Sequence, residues 1–429
     1  MQTYLYPLEN KWSQIIERPH FEREDLEIIV KEILKQIKEN GDKALYELEE
    51  KFDKVYLKSL KVSQSEFEEA GSLISESLKN SINTAAENII KFHEAQRFET
   101  SIIETMPGVT CWQKSVAIEK VGLYVPGGTA PLFSTVLMLA LPAKIAGCKK
   151  IILCSPPNSE GKIHPAILYA AKIAGVTDVY KLGGVQAIGA MGYGTESIEK
   201  VYKIFGPGNQ FVTKAKQILS VNDVAIDMPA GPSEVLVIAD KFADPDFVAS
   251  DFLSQAEHGR DSQSILVTND KEFASKFENA LKNQLENLPR KDFANQSLEN
   301  SKIVVFKDDL EMMAFTNEYA PEHLIIQTKN CDELAEKVIN AGSVFLGDYT
   351  PESAGDYASG TNHTLPTSGF AKAYSGVNLD SFIRKITFQK ITKNGLLELG
   401  NTIEEMASTE MLDAHKYAVT VRLNSLKEN

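Results

Sequence analysis

Gln255 and His258 stand three residues apart in the segment DFLSQAEHG (251–259), where an apolar-periodic helix closes. Residues at that spacing share a helix face. A neutral imidazole nitrogen beside a side-chain carbonyl oxygen is a donor pair suited to a borderline divalent cation such as zinc. A helix-end histidine that merely caps carbonyl groups has the same signature. Glu322 and His323 are adjacent in NEYAPEHL (317–324), after a proline that restricts the preceding backbone. On a loop both side chains can face one pocket and divide proton transfer between a carboxylate and an imidazole, or both can lie in solvent. GDYASGTNH (355–363) carries Asp356 and His363 among small residues with almost no apolar periodicity, a loop with no obvious core to serve. EMLDAH (410–415) sets Glu410 and His415 five apart, so they leave one helical face but can still line one site if a helix begins between them. His258, His323, His363 and His415 are four of the seven histidines, and each of these segments also holds a carboxylate or amide. With Gln255 and Asp356 they can supply an N/O metal site and a base.

Glycine-rich turns offer a second kind of chemistry. LGGVQAIGAMGYGT lacks the G-x-G-x-x-G spacing of the usual dinucleotide loop. YVPGG (124–128), GPGN (206–209) and DMPAGPSE (227–234) are turns where backbone can approach a ligand closely, and Ser233 adds a hydroxyl donor; tight structural turns read the same way.

The elements that must position these residues follow from periodicity. From about Asp25 to Phe98, Leu26, Ile29, Val30, Ile33, Leu34 and Ile37 recur at three- and four-residue steps, which predicts helices. After Val116, VGLYV, KKIILCS and DVYKL alternate with the helical stretches STVLMLALPAKIAG and HPAILYAAKIAG, the signature of strands crossing over through helices into a parallel sheet. EVLVIAD, QSILVT and SKIVVF with their intervening helices predict a second such unit. Past Gly376 the strand signal fades, and apolar spacing in IRKITFQKI and AHKYAVTVRLNSL predicts a helical tail.

A chain of 429 residues with 43% apolar content carries more than one domain. A formal net charge of −14 argues against a nucleic-acid partner, which needs clustered Lys and Arg. No apolar stretch approaches membrane-spanning length and the N-terminus lacks a basic start followed by an apolar run, so no membrane role is expected. Cys111, Cys148, Cys154 and Cys331 are scattered, which predicts reduced, mostly buried thiols in a cytoplasmic protein.

In order along the chain, GLYVPGGTAPLFSTVLMLALPAKIAGC, GGVQAIGAMGYGTESI, KIFGPGN, IDMPAGPSEVLVIAD, FLSQAEHG, NEYAPEHL, GDYASGTNHTLPT and EMLDAH resemble the histidinol dehydrogenase family over nearly the whole length. The resemblance implies zinc held by Gln255, His258, Asp356 and His415, with Glu322 and His323 as the catalytic pair. It implies substrate contacts from Ser233, Gln255, His258, His323, Asp356, His363, Glu410 and His415, and NAD contacts from Tyr124, Gln186 and Asn209. The implied reaction oxidises L-histidinol through L-histidinal to L-histidine with reduction of two NAD+, the last steps of histidine biosynthesis. A zinc metallohydrolase or a noncatalytic zinc-binding protein built on the same ligands would produce no NADH.

The implied fold is α/β, with two incomplete Rossmann-like domains, one inserted in the other. Its expected parts are an N-terminal helical arm (1–22), a first domain (23–122 and 235–377), an inserted domain (123–234) and a C-terminal helical tail (378–429) that reaches the partner subunit of a homodimer.

Overall fold

The protein is described by a computed structural model over residues 1–19, 25–127, 130–229, 231–289 and 291–427. Gly128 of the YVPGG turn, Ala230 of DMPAGPSE and the expected boundary at 22/23 lie outside the described residues. The chain forms two compact units, residues 1–96 with 118–382, and residues 97–117 with 383–429.

The first unit contains two parallel sheets. One has five strands in the order Asp178–Lys181, Lys150–Ser155, Lys120–Tyr124, Lys203–Phe205, Ala225–Ile226. The other has six, in the order Gln2–Leu5, Lys302–Val305, Gln263–Thr268, Glu234–Ala239, His323–Gln327, Ser343–Leu346. Apart from the added first strand, both follow the doubly wound order 3-2-1-4-5, so each has a switch point between its first and fourth strands. The five-stranded sheet is inserted between the first two strands of the six-stranded one.

These strands read clearly because both faces are covered. In the five-stranded sheet Val121, Leu123, Ile151 and Leu153 enter one apolar core, while Tyr124, Ile152, Cys154 and Ile204 enter the core on the opposite face. Val235, Val237, Leu266 and Ile325 likewise divide from Leu236, Ile238, Ile265 and Leu324 in the six-stranded sheet.

The expected domain limits shift. Helix Leu26–Phe52 buries Val30, Leu34, Ile37 and Leu45 against Ile188 and Leu219, and helix Glu76–Glu94 packs Ile82 and Ile89 beside Leu137 and Leu141. Residues 26–94 thus join the inserted five-stranded domain rather than the outer sheet, because their apolar stripes need its helices to cover them. Strand Lys120–Tyr124 crosses the expected limit at 122/123. The N-terminal arm also begins as a strand, Gln2–Leu5, paired with Lys302–Val305.

The second unit corrects the tail. IRKITFQKI is a nine-residue strand, Ile383–Ile391, antiparallel to Val109–Ala117, which pairs in turn with Ile102–Met106. Apolar residues at 383, 386, 388 and 391 satisfy helical spacing, but β-branched and aromatic side chains suit a pleated surface, and Phe388 stacks on Trp112 with ring centroids 5.4 Å apart. Helices Lys393–Thr409 and Asp413–Lys427 complete this unit. Among the described residues no helix is long and apolar enough to cross a membrane.

Candidate active site

Strands Glu234–Ala239 and His323–Gln327 lie side by side, and both begin at the same edge of the six-stranded sheet. His323 is the first residue of its strand, not part of the expected loop. The backbone N–H of Glu234 donates to Glu322 Oε2 at 2.9 Å, which fixes that carboxylate across the strand pair. Glu234 itself is locked by Arg18, whose Nη2 donates to Glu234 Oε1 at 2.8 Å and to the Tyr319 carbonyl at 2.8 Å.

His323 is almost wholly buried among carboxylates. Its Nδ1 lies 3.4 Å from the Glu234 carbonyl, 3.7 Å from Glu322 Oε2 and 3.6 Å from Glu352 Oε1, and its Nε2 lies 3.6 Å from Asp356 Oδ1. Burial by itself would lower the imidazole, but Glu352, Glu322 and Asp356 outweigh it and push His323 up to about 10. Burial pushes Glu322 and Glu352 up to about 8, with the His323 charge opposing it. Asp356 is also desolvated, yet its contact with His323 holds it below the usual carboxylate range. Three carboxylates around one imidazole make a buried site short of positive charge.

Helix Pro245–Ala256 brings Gln255 to this edge, and His258 follows just past the helix end. Gln255 is fully buried, yet neither its Oε1 nor its Nε2 has a hydrogen-bond partner. An orphaned buried amide costs free energy unless a ligand uses it. Helix Glu352–Tyr357 supplies Glu352 and Asp356 from one face. His258, Glu352 and Asp356 each offer an atom within 4.8 Å of the others. These N and O donors fit a borderline divalent cation.

His363 is held from both sides. Its Nδ1 donates to the Asp356 carbonyl at 2.9 Å, which leaves Nε2 to accept from the Thr135 hydroxyl at 3.1 Å. Thr135 stands on helix Phe133–Ala146 of the inserted domain, so the two domains share this residue's environment. Ser233 immediately precedes strand Glu234–Ala239 and lines a cavity of about 790 Å³ with Arg18, Arg260 and Asn209. Glu410 and His415 belong to the second unit, exposed at the break between helices Lys393–Thr409 and Asp413–Lys427. A helix thus begins between them, and the first unit supplies Gln255, His258 and Asp356 of the expected ligand set.

The three expected cofactor residues meet elsewhere. Tyr124 ends the first strand of the five-stranded sheet, Gln186 lies on helix Gly184–Tyr193, and Asn209 caps helix Gln210–Ser220. All three line a cavity of about 580 Å³ outside the carboxyl ends of the strands, the usual place for a nucleotide in this topology. The backbone there is close-packed: Gly206 has φ +120°, and a Cβ on it would strike the Tyr124 carbonyl. The metal-ligand candidates instead gather at the amino ends of the six-stranded sheet, opposite to that rule.

Glu352 escaped sequence reasoning, although its four-residue spacing from Asp356 in PESAGDY is a legible helical signal. Thr135 and Arg18 left no local signal, since each acts on a residue more than two hundred positions away.

A family model described as histidinol dehydrogenase matches residues 16–423. A histidinol dehydrogenase of Bacteroides thetaiotaomicron is 61% identical over 427 residues, covering 100% of both chains. One from Escherichia coli is 53% identical over 418 residues, covering 97% of this chain and 95% of its own. The crystal structure of histidinol dehydrogenase from Elizabethkingia anophelis superposes with a TM-score of 0.98 at 56% identity, covering 100% of this chain and 99% of that one. An acetylating aldehyde dehydrogenase from Geobacillus thermoglucosidasius, 15% identical with a TM-score of 0.50 over 89% of this chain and 98% of its own, shares the fold alone. With the family matched from residue 16 to 423 and the same fold throughout, this chain is an enzyme, an oxidoreductase, and belongs to the histidinol dehydrogenase family.

Proposed function

We propose that the chain is a zinc-dependent histidinol dehydrogenase that oxidises L-histidinol through L-histidinal to L-histidine with two equivalents of NAD+. The observation that carries this reading is the fully buried, unpartnered Gln255 amide beside His258, Glu352 and Asp356, next to the Glu322–His323 pair. Gln255, His258 and Asp356, with His415, would hold the metal, which supplies positive charge and orients the imidazole and amine nitrogens of the substrate. Tyr124, Gln186 and Asn209 line the cavity that would hold NAD+, which would supply the hydride acceptor.

The chain's own residues manage protons and position. A divalent cation held by Gln255, His258 and Asp356 would offset the carboxylates that keep His323 protonated, leaving the imidazole neutral. Its Nε2, which has no hydrogen-bond partner, would then take the hydroxyl proton of the substrate while Nδ1 stays against the Glu234 carbonyl. Glu322, fixed by the Glu234 N–H, would be ionised by the same nearby positive charge and serve as the base for the water that hydrates the aldehyde. The burial of this pair keeps bulk water from the aldehyde between steps. Ser233 and His363 orient the substrate, and the Thr135 hydroxyl and the Asp356 carbonyl hold His363 as a neutral imidazole whose Nε2 would exchange Thr135 for the substrate.

The active enzyme in this proposal is a cytoplasmic homodimer in which His415 and Glu410 of the tail serve the partner's site. The exposed Met411, Leu412 and Tyr417 around them support a docked tail. The test of the reaction is stoichiometry. Limiting L-histidinol with excess NAD+ should yield about two NADH per substrate, since alcohol to acid requires two hydride transfers. A plateau at one NADH with free aldehyde accumulating overturns the four-electron reading, and a hydrolase would form none.

A further inference from the structure

The cavity at the five-stranded sheet holds a carboxylate pair that the chemistry above leaves unused. Asp53 ends helix Leu26–Phe52 and lines the cavity, and Glu49 lies one turn earlier, wholly buried. The Gln186 side-chain amide donates to both, to Glu49 Oε1 at 3.2 Å and to Asp53 Oδ2 at 3.3 Å. The Gly183 N–H adds a second hydrogen bond to Glu49 Oε1 at 3.2 Å, while Glu49 Oε2 is buried without a partner. Burial and the Asp53 charge push Glu49 up to about 8, so the pair carries a single negative charge near neutral pH.

In a doubly wound sheet that binds a dinucleotide, an acidic residue hydrogen-bonds the adenosine ribose and disfavours a 2′-phosphate. The second strand here, Lys150–Ser155, runs instead into Pro156 and Pro157, which line the cavity without a carboxylate. Asp53 fills the gap from outside the sheet: a Cβ on Gly183 would lie 2.9 Å from Pro156 and 3.4 Å from the Asp53 carboxylate. The cavity also has a direction. Asn209, beyond the fourth strand, lines both this cavity and the one containing Ser233, so the nicotinamide end belongs on the Asn209 side and the adenosine end beside Asp53.

We infer that Asp53, held by Gln186 and backed by Glu49, accepts hydrogen bonds from the vicinal hydroxyls of the adenosine ribose and selects NAD+ against its 2′-phosphorylated form. The inference rests on the cavity being the NAD+ site. Its test compares initial rates with NAD+, with NAD+ lacking the adenosine 2′-hydroxyl, and with NADP+, for the wild type and Asp53→Asn. Loss of a hydrogen bond to a charged acceptor is worth about tenfold or more. The wild type should therefore show a KM about tenfold higher for the deoxy cofactor, whereas Asp53→Asn, its KM for NAD+ already raised about tenfold, should treat the two alike. The ratio of kcat/KM for NADP+ over NAD+ should rise about tenfold in the variant. A wild type that uses the deoxy cofactor as readily as NAD+ overturns the inference even if Asp53→Asn fails to fold. A variant that still discriminates fully against the deoxy cofactor and NADP+ overturns it too. A wild type that forms no NADH from histidinol at all overturns the cofactor reading itself, a distinct outcome.

Discussion

Lys216 Nζ lies 2.5 Å from Asp227 Oδ1, with both side chains almost fully buried, and the two grip the same glycine. Lys216 donates to the Gly206 carbonyl at 2.9 Å, and the Gly206 N–H donates to Asp227 Oδ2 at 2.8 Å. The pair thus closes the GPGN turn that presents Asn209 and ties it to the segment leading to Ser233.

Removing one member leaves the other charge buried and uncompensated. Asp227→Asn and Lys216→Met should each cost about 3–5 kcal/mol of stability, and the double variant should cost less than either single change. Urea denaturation of the three variants measures this. A double variant as unstable as the sum of its singles would show that the two residues act independently.

The orphaned amide of Gln255 gives a prediction with opposite signs for stability and binding. Replacing it by Leu removes a buried polar group that has no partner without metal, so metal-stripped Gln255→Leu should be more stable than the stripped wild type by about 1–3 kcal/mol. The same change should weaken zinc retention, as should His258→Asn, whereas His323→Asn should keep its zinc and slow turnover. Full zinc occupancy in purified Gln255→Leu and His258→Asn would remove both from the ligand set.

Burial raises Glu49 from the ordinary carboxylate range to about 8. A folded-state value above the unfolded one means that the native chain binds the extra proton. The resulting stability is fully present below about pH 4.3, the unfolded value, and is lost as pH rises through about 8. Glu49→Gln, which stays neutral, should match the wild type near pH 4 and exceed its melting temperature at pH 9. Parallel melting curves for the two proteins across that range would show Glu49 to be ionised throughout.

Much of the scaffold was legible because parallel strands covered on both faces are continuous apolar runs. VGLYV, KIILCS, EVLVIA and SILVT declare themselves without an alignment. Strands whose stability comes from a distant partner did not: Ile383–Ile391 pairs with Val109–Ala117 across some 270 residues, and its own spacing suits a helix equally well. At the site, Gln255 and His258 were readable as neighbours on one helix end. That Glu352 and Asp356 close on His258, and that Asp53 enters the cavity of the five-stranded sheet from a helix outside it, depends on tertiary packing that no local pattern encodes.

The shared-site proposal yields a complementation test. His415 stands in the second unit, whereas Gln255, His258 and Asp356 stand in the first. If His415 serves the partner's site, His415→Asn and His258→Asn should each be inactive alone. In a mixed dimer the intact Gln255, His258 and Asp356 of the His415→Asn chain meet the intact His415 of the other chain. One site is rebuilt, and the second carries both defects. Random reassortment after co-refolding makes about half the dimers mixed, so activity should recover to about a quarter of wild type under closed two-fold symmetry. If the tail serves its own chain, every site in the mixture keeps one defect. Activity at the level of the separate variants, with mixed dimers confirmed by native mass spectrometry, would place the whole site within one subunit.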